Sequence, residues 1–396
     1  MNKKKTVVVK TAVAGVLLVL FIILSVAIKD SAVAEWLTVN FARGWVWAVG
    51  NVTSALPFSL FEALVIIAVF GVLVYLVLAI ESIRFKEWMR LLSMSLTVVI
   101  VVLAVLSCYT AVASSGYNRK ALDLEMYDIK TDGELPYEQA VQLAESIINE
   151  INATGATLNR DENGYIIYPY DNEQINSLIA EQYAKLQSDY FSGFTRLCKP
   201  VVNSWFMGEM HISGISFLPT AEPHFNRDAT KLYDYPVVVA HEIAHTKGVM
   251  REGDANTVAY YITLTSSDNY IRYSGLLSVY SQVISLVSLY PNSSADVERL
   301  SNSFISGWGY RDRTTASRLY GSYRLFGNIG EFFNNIYLIL NGQSGIESYV
   351  PTPDISDSGE KDEEGEIIWH VTAYSQIQNM LIALYKDGFF ATSQNV

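Results

Sequence analysis

The chain has 396 residues, half of them hydrophobic and 17% charged, and a formal net charge of −12. That apolar content excludes disorder as the main state. Residues 1–115 carry nine Lys and Arg against five Asp and Glu, which leaves 19 against 35 for the remainder, so the two parts have formal balances of +4 and −16. An acidic C-terminal part offers phosphate backbones no general attraction and argues against a nucleic-acid partner.

Three apolar segments, roughly 11–28, 58–80 and 91–113, are each long enough to cross a bilayer, which takes about 20 residues. The first follows Lys3, Lys4, Lys5 and Lys10 and precedes Ala32-Val33-Ala34, a small-residue pattern that also suits a signal-peptidase site. Its core is long for a signal peptide, so an uncleaved anchor is the favoured reading. Lys and Arg resist translocation. The N-terminus and the loop holding Arg84, Lys86 and Arg90 are therefore assigned to the cytoplasmic side, and the loop of about 29–57 to the outside. A third crossing then carries everything from about residue 116 out of the cytoplasm. The expected location is the plasma membrane, multi-pass, with residues 1–115 as a membrane domain and 116–396 as an extracytoplasmic one; cleavage after Ala34 would leave this unchanged.

Beyond the spans, apolar spacing predicts helices over about 135–152 and 172–190, with a loop or short hairpin from Asn159 to Asn172. Partial alternation from His211 to Phe217, broken by Pro219 and Pro223, predicts one or two short strands. Downstream of Pro236 the pattern is helical over about 236–247, 252–266, 272–289, 295–305 and 328–341, with a last helix near 371–386. Residues 351–367 are rich in Asp and Glu and read as a solvated, mobile insertion. Cys108 and Cys198 are the only cysteines, which argues against a disulfide scaffold or a cysteine zinc site.

The informative segment runs from His241-Glu242-Ile243-Ala244-His245 to Asn256. Two His four apart share one face of a helix, so both imidazoles can reach one cation, with Glu242 beside them. With five His in the chain, HExxH arises by chance in roughly 0.004 sequences of this composition. Pro236 to Ala240 supplies a buried lead-in, Asp234 or Tyr235 a cap, and Gly248 an end to the helix. Catalytic zinc sites use three protein ligands and keep one position open. Glu252 is the first candidate for the third, because it opens a second helix after the turn at Gly248. Asp254 is the alternative if that helix starts later. Asn256, one turn after Glu252, can orient a ligating imidazole through its side-chain oxygen.

The pattern HExxHxxGxxxExxAN resembles the gluzincin class of zinc metallopeptidases. Together with the three spans, Pro57 to Leu60, Gly214 to Asn226, Arg272-Tyr273-Ser274 and Asn341 to Tyr349, it is also similar to an uncharacterised family of bacterial membrane proteins with a domain of unknown function. The resemblance implies a mainly α protein, with three N-terminal transmembrane helices followed by a mostly helical zincin-like domain with a small β element. It also implies one zinc ion held by His241, His245 and Glu252, with Glu242 as the catalytic carboxylate. The gluzincin Glu usually stands much farther downstream. Zinc would acidify a water and polarise a peptide carbonyl, while Glu242 accepts the proton and passes it to the leaving amine.

His224, Tyr260, Arg272 and Tyr273 are the sequence neighbours that can serve as oxyanion or substrate contacts. The plainer reading of His224 is a polar loop residue, and of Arg272 and Tyr273 packing and salt-bridge residues. Gly214 to Asn226 can offer an edge strand to an extended peptide. The expected function is a membrane-anchored zinc peptidase with a protein or peptide substrate. The alternative is a non-catalytic binding or assembly protein with a structural or vestigial metal site.

Overall fold

The computed structural model describes residues 3–123, 135–186, 188–227, 233–322, 325–349, 354–361 and 367–390. The N-terminal part contains α1 (Lys3–Ala27), α2 (Ser31–Trp36), α3 (Arg43–Ser54), α4 (Leu60–Arg84), α5 (Trp88–Tyr109) and α6 (Ser115–Asn118). π-helical stretches at Leu37–Ala42 and Thr110–Ser114 join α2 to α3 and α5 to α6. Helix α1, helix α4 and the run Trp88–Asn118 are long and apolar enough to cross a membrane, and their windows are almost wholly exposed. Water is a poor solvent for so much apolar surface, whereas acyl chains suit it.

Polar contacts between these helices fix their directions. Lys10 Nζ donates to Ser93 and Thr97, and the Tyr75 and Ser95 hydroxyls are 2.8 Å apart. Helices α1 and α5 therefore run parallel and α4 runs against them. The start of α1 and the turn after Arg84 share one end of the bundle, and residues 28–59 and the chain after Tyr109 share the other. The segment 29–57, expected as a loop, is largely helical because Ala42 and Val46 pack on Val112, Ala113 and Tyr117.

The rest of the chain builds α7 (Tyr137–Thr157), α8 (Asn172–Lys185), β1 (Lys199–Pro200), α9 (Ser204–Glu209), β2 (Gly214–Phe217), β3 (Glu222–Phe225), α10 (Tyr235–Thr246), α11 (Glu252–Leu264) and α12 (Asn269–Ser288). There follow α13 (Ser294–Ile305), α14 (Trp308–Tyr320), α15 (Gly327–Leu340), a 3₁₀ turn at Gly345–Tyr349, β4 (Asp354–Lys361), β5 (Ile367–Ala373) and α16 (Gln376–Lys386). The protein is thus mainly α with a small sheet of order β1-β3-β2, β1 parallel and β2 antiparallel to β3. Its core is made by Ile147 and Ile151 of α7, Ile243 of α10, Val258 and Ile262 of α11 and Val283 of α12.

Two stretches differ from the sequence expectation. In the acidic stretch 351–367, Asp354–Lys361 pairs antiparallel with Ile367–Ala373, while 351–353 and 362–366 lie outside the described residues. That pairing delays the last helix to Gln376, which Ser375 caps by accepting from Gln378 N–H. Helix α14 was not expected, since its surface is polar. It is tied down by Asp312, which is buried and receives Arg160 and the Tyr273 hydroxyl.

Candidate metal centre

Helix α10 carries the first two imidazoles. Pro236 in its first turn leaves no helical hydrogen bond wanting, and Asp234 precedes it without a side-chain cap. Gly248 ends it at φ +92°, with Val249 N–H bonded to Ala244 O, the reversal that a left-handed residue makes cheaply. A side chain there would also strike Thr38 and Arg119. The chain turns back at once, and α11 opens on Glu252, with Arg251 extended before it. A carboxylate in a first helical turn is favoured by the helix dipole.

The reversal brings three side chains together. His241 Nε2 lies 3.1 Å and His245 Nε2 3.7 Å from Glu252 Oε2. Ligand atoms from these three residues all lie within 4.8 Å of one another, and all three side chains are nearly buried. The other nitrogen of each ring is committed. His241 Nδ1 is 2.9 Å from Asn256 Oδ1, and His245 Nδ1 is 2.7 Å from Val249 O. Both partners are acceptors, because Asn256 Nδ2 donates to Tyr349 O at 2.8 Å. Each ring therefore carries a proton on Nδ1 and turns its Nε2 toward Glu252. Glu252 Oε2 is buried and accepts no hydrogen bond from any described residue. Two imidazole Nε2 atoms and a buried carboxylate oxygen facing one point are a donor set that can hold a cation.

Burial works against charge on every member of this group. It raises the Glu242 carboxyl to about 7 and lowers the His245 imidazole to about 4. For Glu252 burial pulls upward too, but His245 and His241 outweigh it and keep the carboxyl below its usual range. Glu242, next to His241 on α10, is outside the three-residue cluster. Ser216 Oγ of β2 is 2.8 Å from both its Oε2 and its backbone carbonyl. Gly214 passes so close that a Cβ would stand 2.4 Å from Glu242 Oε1.

Asp254, the alternative ligand, faces Arg251, Gln376 and Leu122 instead. His224 is in strand β3 rather than a loop, buried, with Nε2 2.8 Å from Ser59 Oγ. Arg272 pairs with Glu150, and Tyr273 donates to Asp312. Tyr260 has Asp234 and Arg313 as its charged neighbours. None of the four is brought to the cluster by a hydrogen bond. The residues that are brought near it were not singled out: Ser216, Tyr349 and Tyr337, whose hydroxyl bonds those of Tyr109 and Tyr117. The charges of Glu252 and Glu242 act on both Tyr337 and Tyr349, whose phenols burial already pushes up. The sequence signal was coarser: Ser216 falls within Gly214 to Asn226 and Tyr349 closes Asn341 to Tyr349, two stretches that carry the family resemblance.

A family model described as protein of unknown function (DUF3810) matches residues 40–354. The chain belongs to that family. The match takes in α3 through β3, both ligand-bearing helices and the Gly345–Tyr349 turn, so the cluster lies wholly within the family domain. The chain matches no curated protein and no solved structure.

If the Asn256 amide holds His241 in place, Asn256→Ala should lower metal affinity by about 10–100-fold while leaving the fold intact. Competition with a chromogenic chelator measures this, and wild-type affinity in the variant would remove Asn256 from the site.

Proposed function

We propose that this chain is a membrane-anchored, zinc-dependent peptidase of gluzincin type, with its site outside the cytoplasm. The observation that carries the reading is the bare Glu252 Oε2 facing two imidazoles whose Nδ1 protons are already placed. An N₂O donor set with a carboxylate beside it suits zinc, which when bound supplies a Lewis acid that acidifies water and polarises a carbonyl.

The chain's own residues supply the rest. His241 and His245 present Nε2, and Asn256 and the Val249 carbonyl hold the rings. Glu242 takes the proton of the attacking water and returns it to the departing amine. Its raised pKa suits a group that must both accept and release a proton near neutrality. Ser216 fixes the carboxylate's position. Strand β2 is an edge of the small sheet, so it can take an extended peptide by strand addition beside Glu242. The phenols of Tyr337 and Tyr349, on which the Glu252 and Glu242 charges act, are further candidate donors for an oxyanion beside His224, Tyr260, Arg272 and Tyr273.

The full chain, purified in detergent, tests this by metal analysis and peptide-library profiling. About one zinc per chain and metal-dependent cleavage are expected, and His241→Ala or His245→Ala should lose both. Full zinc retention in both variants would refute the ligand set. A wild type that binds zinc and cleaves nothing in a broad library would favour the binding or assembly protein.

The side of the membrane follows from Lys3, Lys4, Lys5 and Lys10 at one end of the bundle and Arg84, Lys86 and Arg90 at the same end. That end is read as cytoplasmic. A periplasmic-type reporter fused after residue 120 should be active and a cytoplasmic one silent; the reverse pattern overturns the orientation.

A further inference from the structure

Helix α15 has an unusual surface. Its buried side packs on protein: Gly330 sits against the Met210 backbone, Leu338 is fully buried, and Tyr337 bonds Tyr109 and Tyr117. The opposite side is apolar and exposed. Ile329, Phe332, Phe333, Ile336, Ile339 and Leu340 fall on an arc of about 120° on an ideal helix. Phe332 and Phe333 are each 60% exposed and Leu340 75%. Glu331, the helix's one charged residue, lies off that arc beside His211. A helix normally buries such an arc and leaves its polar side in water.

The tethers say where this surface is. Tyr109 and Tyr117 belong to the apolar run Trp88–Asn118, at the end that α1 also reaches, so α15 is pinned to the rim of the bundle. Next to it, Phe206 of α9 packs against Phe326. The residues leading into α9 are pinned in turn to the first turn of α4, where Glu62 accepts from Val202 and Asn203 N–H at 3.0 Å. Val202, Trp205 and Phe206 are exposed as well, which extends the apolar surface along the same rim. Trp36 and Trp47, exposed on α2 and α3, lie at this end of the bundle, and exposed Trp88 lies at the other. Tryptophans at both ends of a bundle mark the two bilayer interfaces.

We propose that α15 and α9 lie in the bilayer interface at the end of the spans nearest the metal centre, with the Ile329–Leu340 arc among the acyl chains. The domain carrying the centre is thus seated on the membrane and not merely hung from α5. The inference rests on the three spans crossing a bilayer and is independent of any peptidase activity. Lipid is the occupant because the arc continues from the lipid-facing rim, carries no charge, and is held there by two separate tethers.

The test uses the full chain in phosphatidylcholine/phosphatidylglycerol vesicles. Nitroxide labels at Phe333→Cys, Ile329→Cys and Trp205→Cys are compared with one at Glu298→Cys, an exposed position on α13, and wild type, with Cys198 buried and Cys108 half-buried, gives the background. At the first three positions collision with oxygen should rise and collision with an aqueous nickel chelate should fall several-fold relative to Glu298, at a depth of about 5–10 Å. Nickel access equal to that at Glu298 at all three positions overturns the proposal. So does spin–spin coupling between copies at Phe333 without lipid contact, which would make the arc a self-association face. Agreement at Phe333 and Ile329 alone would support α15 and remove α9 from the seat.

Discussion

Replacing Glu242 by Gln is expected to leave zinc in place and lower peptide hydrolysis by about 10²- to 10⁴-fold, the range that general acid–base catalysis supplies. The proposed ligands are His241, His245 and Glu252, and Glu242 is outside that cluster with its Oε2 accepting from Ser216. Gln keeps the size and the Ser216 contact but cannot accept a proton, so metal content and thermal midpoint should stay near wild type. Gly214→Ala gives a second arm, because its Cβ would force the Glu242 carboxylate out of position without touching a ligand. Both variants should retain zinc and lose rate. Glu252→Gln should instead weaken metal binding itself. A wild-type rate in Glu242→Gln, with zinc-dependent cleavage verified, would sink the assignment of its role.

Arg119→Met is expected to destabilise the protein by about 1–3 kcal/mol, the loss typical of leaving a buried hydrogen-bonding group unpaired, since Glu35 on the other side of the pair is 27% exposed. The Arg119 side chain is 1% exposed although it follows directly on the last residue of the third span. Its Nε and Nη2 donate to Glu35 at 2.9 and 2.6 Å, and Nη1 donates to the carbonyls of Tyr190 and Gly248. One guanidinium therefore ties α2, the loop before β1 and the turn between the two ligand-bearing helices. Met fills the volume but leaves the Gly248 carbonyl without its donor and strips the Glu35 carboxylate of its guanidinium, while the Tyr190 carbonyl keeps Arg43 at 2.7 Å. Thermal unfolding of the full chain in detergent measures the loss, and an unchanged midpoint would show that the tie carries no load. Burial works upward on the Glu35 carboxyl, but its hydrogen bonds and the Arg119 charge prevail and hold its pKa below the ordinary value. The pair's contribution is accordingly full above the ordinary carboxylate range and fades as pH falls through the lowered pKa.

Much of this protein is legible in one dimension. The three apolar helices are recognisable because about 20 consecutive apolar residues are what a crossing needs, and the Lys and Arg at their ends are the basis of the orientation proposed for them. The HExxH pair is recognisable because helical geometry alone puts His241 and His245 on one face. Glu252 could be nominated, since Gly248 permits a reversal and α11 begins straight after it. Setting Asp254 aside took the tertiary structure, because two positions two residues apart on a helix point opposite ways and only the helix's placement shows which of them faces the imidazoles. Asn256 as a support for a ligating imidazole was also readable, from its place one turn after Glu252, whereas its pairing with His241 in particular spans 15 positions and the Val249 and Tyr349 carbonyls are backbone atoms with no sequence signature. Ser216, Tyr337 and Tyr349 reach the site from segments 26 to more than 90 positions away from Glu242, distances over which residue type carries no record of contact. For the same reason α15 was readable only as a helix over about 328–341. Its spacing determined that one face is apolar, and only the packing of Tyr337 and Gly330 decided that this face looks outward.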